Sequence, residues 1–256
     1  MNSVCQIAFI PVRKEPSHRS EMLTQLLFGD DFKILADEND WLYIKNYFDD
    51  YEGWVPANEV EVLENDFFTE YTHKNVWLQK NPITTFNYKN NTFYCGFGSR
   101  IAELPHNGFL CGKNTLSINP DQWILAGALQ KHAIIEIGFQ LLGTPYLWGG
   151  RSIWGIDCSG FTQNLYRLAG INLKRDAWQQ EMQGIEIEFT ERKTGDLAFF
   201  SNEDGKVIHV GIVLNQNEIL HASGKVRIDN LHNEGIINSE SGKLTHVLKS
   251  IKNIGS

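Results

Sequence analysis

Residues 149–161 read Gly-Gly-Arg-Ser-Ile-Trp-Gly-Ile-Asp-Cys-Ser-Gly-Phe, and the fold of the second half of the chain turns on this stretch. A glycine-rich loop here delivers Cys158 to the first turn of a helix on which Cys158, Phe161, Leu165 and Leu168 share one stripe before Gly170 ends it. A helix N-terminus carries unpaired N–H groups and the positive end of the dipole, so it favours thiolate over thiol. The same N–H groups can hold the oxyanion that forms when a carbonyl is attacked. A lone cysteine at a helix start is more often a small buried hydrophobe, so its surroundings must decide between the two roles.

Just upstream, residues 126–146 (AGALQKHAIIEIGFQLLGTPY) place Leu129, Ala133, Ile134, Ile137, Leu141 and Leu142 at helical spacing, with Gly143 and Pro145 as the stop. Downstream, DLAFF (196–200), KVIHVGIVL (206–214), EILHAS (218–223) and a tail containing THVLKSI read as strands. Helices followed by an antiparallel sheet make residues 129–256 an α+β domain. Residues 1–64 instead carry short apolar runs separated by turn and charge clusters, the pattern of a small β-barrel. Residues 65–128, rich in aromatics, Asn and Gly without helical period, are expected to form a second, divergent barrel of the same kind.

With 256 residues, 42% of them hydrophobic and 12% aromatic, the chain has enough apolar material for one large domain or two to three small ones. A formal charge of -8 argues against general nucleic-acid binding, which needs a broad basic surface. The opening MNSVCQIAFIPVRKEP lacks a basic region followed by a sustained apolar run, and no later window is long enough to span a bilayer, so a cytoplasmic location is expected. Cys5, Cys95, Cys111 and Cys158 include no CxxC pair, which suggests neither a zinc knuckle nor a disulfide framework. No metal and no cofactor are expected.

A thiolate needs a proton carrier. His18, His73, His106 and His132 read as surface or structural residues, and Arg151 as a solvated charge. His209 differs, because it lies mid-strand on one face with Val207, Gly211 and Val213, where an imidazole needs a polar partner. If Asn215-Gln216-Asn217 is a three-residue hairpin loop, Leu214 pairs with Glu218 and His221 stands opposite Gly211. His221 is then diagonal to His209 on the same face, about 7 to 8 Å away between backbones, with glycine leaving the gap open for the rings. A loop of two or four residues would turn His221 to the other face. In the favourable register His221 orients His209, the role of a third triad member.

Together, Gly143-Thr-Pro-Tyr146-Leu-Trp148-Gly-Gly150, Asp157-Cys158-Ser159-Gly160-Phe161, Arg175-Asp176, Gly195-Asp196-Leu197 and His209-Val-Gly211 resemble the NlpC family of papain-like cysteine peptidases. The order LLFGD, ILADENDWLYIK and YEGWVPANEVEVL is similar to the bacterial SH3-like domains that accompany cell-wall enzymes, with Trp41 and Gly53-Trp54-Val55 closing the barrel. The resemblance implies a γ-D-glutamyl-L-diamino acid endopeptidase acting on murein-derived peptides, L-Ala-γ-D-Glu-diamino acid. It makes Cys158 the nucleophile, His209 the base, His221 the orienting residue and Tyr146 an oxyanion donor. It further implies substrate contacts for Asp157, Ser159, Asp176, Tyr51 and Trp148, and for Glu21 as the acid meeting a free N-terminal amine. Ala177 departs from the serine that commonly follows the Arg-Asp pair, so one substrate hydrogen bond is expected to be missing. The alternatives are an inert peptidoglycan-binding adaptor and a papain-like amidase or acyltransferase.

Overall fold

The computed structural model describes residues 1–63, 68, 75–88, 91–103, 109–111, 114–116 and 118–255. His73, His106 and the boundary expected at residues 64 and 65 lie outside these. The chain forms two compact units, one of Met1–Ala128 with Trp148–Ile153 and one of Leu129–Leu147 with Trp154–Ser256.

The first unit opens with β1 (Asn2–Val4), β2 (Phe9–Arg13), β3 (Met22–Leu27), β4 (Asp31–Glu38), β5 (Trp41–Asn46), β6 (Glu52–Pro56) and β7 (Val62–Leu63). They form one antiparallel sheet in the order β3-β2-β6-β5-β4-β1-β7, an SH3-like barrel. Ile10, Val12, Leu26, Phe32, Ile44 and Val55 fill its core, as alternation on strands with one buried face requires. Gly53 is needed where β6 crosses β2, since a Cβ there would lie 2.6 Å from Val12 Cγ1 and 2.8 Å from Arg13 O. Tyr43 and Trp54 face each other across β5 and β6 with ring centroids 5.1 Å apart.

The same unit continues with β8 (Val76–Gln79), β9 (Ile83–Tyr88), β10 (Asn91–Gly96), β11 (Arg100–Glu103), β12 (Phe109–Cys111), β13 (Asn114–Leu116) and β14 (Trp123–Leu125). Five of these pair in the order β13-β12-β11-β8-β14, and β9 pairs with β10. The loop containing β15 (Arg151–Ser152) completes the unit, and it corrects the reading of Arg151 as a solvated charge. Arg151 is fully buried, ion-paired with Asp30 at 2.9 Å and bonded to Gln25 O at 2.9 Å. A guanidinium with five fixed donors can be satisfied inside protein in this way, whereas an unpaired buried charge could not.

The second unit holds α1 (Ile134–Gln140), β16 (Gly155–Ile156), α2 (Cys158–Leu168), α3 (Ala177–Glu181), β17 (Ile185–Ile187), β18 (Leu197–Ser201), β19 (Val207–Val213), β20 (Glu218–Ser223), β21 (Lys225–His232), β22 (Gly235–Ile237) and β23 (Leu244–Asn253). Strands β17 to β23 run antiparallel in the order β17-β23-β18-β19-β20-β21-β22, the helices-then-sheet α+β arrangement expected. The upstream helix is shorter than its apolar spacing suggested: α1 begins at Ile134, and Leu142 lies beyond its end, largely exposed. Every residue of α2 is buried, polar ones included, which the apolar stripe alone did not foretell. Gly170 takes φ +74° just past its end, the left-handed conformation glycine adopts without a Cβ penalty. Among the described residues no helix is long and apolar enough to cross a membrane.

Candidate active site

Asp157 caps α2, its Oδ1 accepting the Gly160 N–H at 2.7 Å, which fixes Cys158 as the first helical residue. Backbone N–H groups of Val210 and Ser159 bond the Cys158 sulfur, so it lies beside β19 next to His209. The electrostatic balance differs from the one expected of a helix start. Burial, then the charge of Asp157, push the thiol up to about 12, against the lowering effect of those N–H groups and of Arg175. The resting sulfur is therefore a thiol, and its activation must come from proton transfer rather than from the helix dipole alone.

β19 and β20 pair Gly211 with His221, Ile212 with Leu220 and Val213 with Ile219, the register that a three-residue loop requires. Consequently His209 and His221 lie diagonally on one face, with His209 Nε2 2.8 Å from His221 Nδ1 and the rings nearly edge-on. Gly211 makes the approach possible, because a Cβ there would lie 2.9 Å from His221 Cβ and 2.7 Å from Ile219 Cδ1. Burial, together with His221 and His246, holds His209 well below the usual imidazole range, so it rests neutral and ready to accept a proton.

Two further residues, not foreseen in the sequence, complete this cluster. Asp229 Oδ2 lies 3.1 Å from His221 Nε2. Burial favours the protonated acid, but hydrogen bonds from His221, Ser239 and Arg227 outweigh it and hold the carboxyl far below its ordinary range. His246, on β23, stacks on His209 with centroids 4.1 Å apart. A signal for Asp229 was present: an acid among the β-branched residues of KVRIDNLH, one tight turn after His221. His246 comes from a strand 37 positions after His209 in the chain, too remote for local pattern to find.

Tyr146 is half-buried and anchored by its N–H to Gly224 O at 3.0 Å. Burial most of all, with the neighbouring Cys158 and Asp157 acting in the same direction, raises its hydroxyl, which stays protonated and able to donate. Together with Ile208, His209, Ala222, Ser223, Gly224 and His246 it lines a pocket of about 210 Å³. This is an uncharged, polar recess beside the histidine pair.

Asp157 and Ser159 are tied to fully buried Arg175. Its Nη2 meets Asp157 Oδ2 at 2.6 Å, and its Nη1 meets Asp157 Oδ1 at 3.0 Å and Ser159 Oγ at 2.9 Å. Asp176 caps α3 in a capping box with Gln179 and precedes buried Ala177. In the first unit, exposed Trp148 donates its indole N–H to Glu21 Oε1 at 3.0 Å, Glu21 pairs with Lys14 at 3.6 Å, and half-buried Tyr51 stands just before β6. Cys158, His209, His221 and Tyr146 thus belong to one unit, and Glu21, Trp148 and Tyr51 to the other. Among the described residues no cluster of three or more His, Cys, Asp or Glu side chains could hold a metal ion.

Comparison with known proteins identifies the families that the two regions of the chain match. Residues 143–242 match the NlpC/P60 family, and residues 12–60 match the bacterial dipeptidyl-peptidase SH3 domain. The γ-D-glutamyl-L-lysine dipeptidyl-peptidase of Bacillus cereus is 25% identical over 88% of this chain and 75% of its own length. Dipeptidyl-peptidase 6 of Lysinibacillus sphaericus is 27% identical over 87% and 88%. The fold as a whole resembles a crystal structure of an NlpC/P60 family protein from Bacillus cereus, with a TM-score of 0.85 and 99% of both chains covered at 18% identity. The chain therefore joins a bacterial SH3 domain to a peptidase domain of the NlpC/P60 family, and it is homologous to γ-D-glutamyl-L-lysine dipeptidyl-peptidases.

Proposed function

We propose that this protein is a cysteine endopeptidase that hydrolyses the bond between γ-D-glutamate and a diamino acid in small murein peptides with a free N-terminal L-alanine. The observation that carries the reading is the 2.8 Å His209–His221 pair, with His209 on β19, the strand that bonds the Cys158 sulfur at the head of α2, and His221 on β20. The names of the homologous dipeptidyl-peptidases support the substrate class. We further propose a division near residues 64 and 128 and a cytoplasmic site of action, where small recycled peptides rather than intact wall are met.

In this reaction His209 Nδ1 takes the Cys158 proton as the sulfur attacks the γ-glutamyl carbonyl, and the carbonyl π electrons move to oxygen. Tyr146 and the N–H groups at the head of α2 donate to that oxyanion. Collapse breaks the C–N bond, and the imidazolium gives its proton to the leaving amine. Water, deprotonated by His209, then attacks the thioester, releasing L-Ala-D-Glu and restoring the thiol. Asp157 and Ser159, held by Arg175, and Asp176 line the cleft in this proposal. The assignment of Glu21, Trp148 and Tyr51 to the free amine end rests on the family resemblance alone.

Incubation with L-Ala-γ-D-Glu-diaminopimelate and with its lysine counterpart, followed by mass spectrometry, tests the proposal. Release of L-Ala-D-Glu by the wild type and not by Cys158→Ala is expected. A wild type that leaves both peptides intact would overturn it. Glu21→Gln should raise KM for the free-amine peptide but not for its N-acetylated form.

A further inference from the structure

The hydrogen-bond chain does not end at His221. β20 and β21 pair His221 with Arg227, so Asp229 lies one diagonal step further on the same face. This repeats the relation of His209 to the Gly211–His221 pair. Three polar side chains thus climb diagonally across three adjacent strands, Asp229 to His221 at 3.1 Å and His221 to His209 at 2.8 Å. His221 is fully buried and Asp229 almost so, hence no water is at hand to substitute for either partner.

When His221 carries a single proton, the donor inventory leaves one arrangement. Asp229, ionised, can only accept, so His221 must carry its proton on Nε2. The other ring nitrogen, Nδ1, then offers a lone pair, and His209 donates to it from Nε2–H. That leaves Nδ1 of His209 unprotonated, the nitrogen the proposed reaction needs as its base. We propose that Asp229 is a positioning residue of the site, setting the tautomers of both histidines by accepting from His221. The inference rests on the peptidase reading for its catalytic consequence, though not for the tautomers themselves.

The two oxygens of Asp229 have separate duties. Oδ1 accepts from Ser239 N–H and Oγ, each at 2.8 Å, and from Arg227 Nη2 at 3.0 Å. Oδ2 meets His221 and also Arg227 Nε at 2.9 Å. Arg227 balances the carboxylate's charge, so orientation rather than a long-range field is what Asp229 contributes. His246, the remaining imidazole of the cluster, stacks on His209 and takes its own hydrogen-bond contact from Thr245 at 2.9 Å, and so leaves the chain of donors untouched.

An Asp229→Asn variant separates the roles. Its amide oxygen can keep Ser239 and Arg227 Nη2, while its NH2 gives up the Arg227 Nε contact, faces His221 Nε2 and forces the proton to Nδ1. His209 must then accept at Nε2 and carry its proton on Nδ1, where it cannot serve as base. Nitrogen-15 spectra of the histidine side chains of the full-length protein should show Nε2–H on His209 and His221 in the wild type and Nδ1–H on His221 in the variant. Turnover of the γ-D-glutamyl peptide should fall by about 10² to 10⁴-fold, with KM within about twofold, as for other triads given the wrong tautomer. Ser239→Ala, which removes a hydroxyl contact to Oδ1 and leaves Oδ2 facing His221, should keep wild-type tautomers and at least about a third of the turnover.

Nδ1–H on His221 in the wild type would overturn the proposal whether or not the variant folds. So would an Asp229→Asn protein with unchanged tautomers and turnover within about threefold of wild type. If the wild type cleaves no peptide, the peptidase reading fails, and the spectra still judge the role of Asp229.

Discussion

His246 lies almost flat against His209, the ring centroids 4.1 Å apart and the planes 27° from parallel. Both imidazoles are driven toward the neutral form, chiefly by burial, and His246 comes down to about 4. Two neutral rings stack without charge repulsion, so the stack is a packing device that also limits how His209 can turn.

This arrangement makes stability depend on pH in one direction. Folding depresses the His246 pKa, so the unfolded chain binds the proton more readily than the native state does. The stability it contributes is complete above pH 6.5 and is lost as pH falls from there to about 4. Thermal unfolding followed from pH 7 to pH 4 should show a falling Tm. In His246→Phe, which keeps the stack without titrating, the slope should be shallower.

Cys158 depends on its histidine more than on its helix. A thiol held up to about 12 by burial and Asp157 carries almost no free thiolate at neutral pH. Iodoacetamide should nevertheless label Cys158 faster than Cys5 or Cys95, both fully buried and both with raised thiols. In His209→Ala the labelling rate of Cys158 at pH 7 should drop about tenfold or more, since the proton acceptor is gone. Mass spectrometry of the alkylated peptides measures it.

Gly211 separates the two histidines by having no side chain. In Gly211→Ala the new methyl meets Ile219 Cδ1 at 2.7 Å and His221 Cβ at 2.9 Å, and β20 must shift. Overpacking of this size costs about 1–3 kcal/mol. Urea denaturation should report that loss, and turnover should fall further than stability does because the 2.8 Å contact opens.

Arg175 closes both oxygens of Asp157 and the hydroxyl of Ser159. Arg175→Ala strands the Asp157 carboxylate in a buried site at a cost of about 3–5 kcal/mol. Arg175→Lys restores charge but not the two-pronged geometry, and should recover only part of the stability in the same denaturation assay.

Local pattern carried much of this site. The glycine-rich loop and the helical stripe located Cys158 at the head of α2, and a loop length with a glycine located His221 diagonal to His209. These were legible because strand alternation and hairpin register are short-range rules, set by residues within a dozen positions of one another. The family motifs around Tyr146, Asp157 and Asp176 were legible for the same reason, being contiguous in the chain.

Tertiary structure alone decided the rest. Arg151 looked solvated in its loop and is buried against Asp30 and Gln25, partners more than a hundred residues away. Arg175 stood next to Asp176 in the chain, and the fold brings it to Asp157, 18 positions earlier. The thiol of Cys158 looked activated by its helix terminus, but burial outweighs a dipole when the helix is enclosed on every side. Asp229 and His246 joined the site only when β21 and β23 were laid beside their neighbours. The sequence by itself determined which residues can do the chemistry, because side-chain type and near-neighbour spacing are local. Protonation and orientation were left to the fold, because they depend on what desolvates each group and which distant donor meets it.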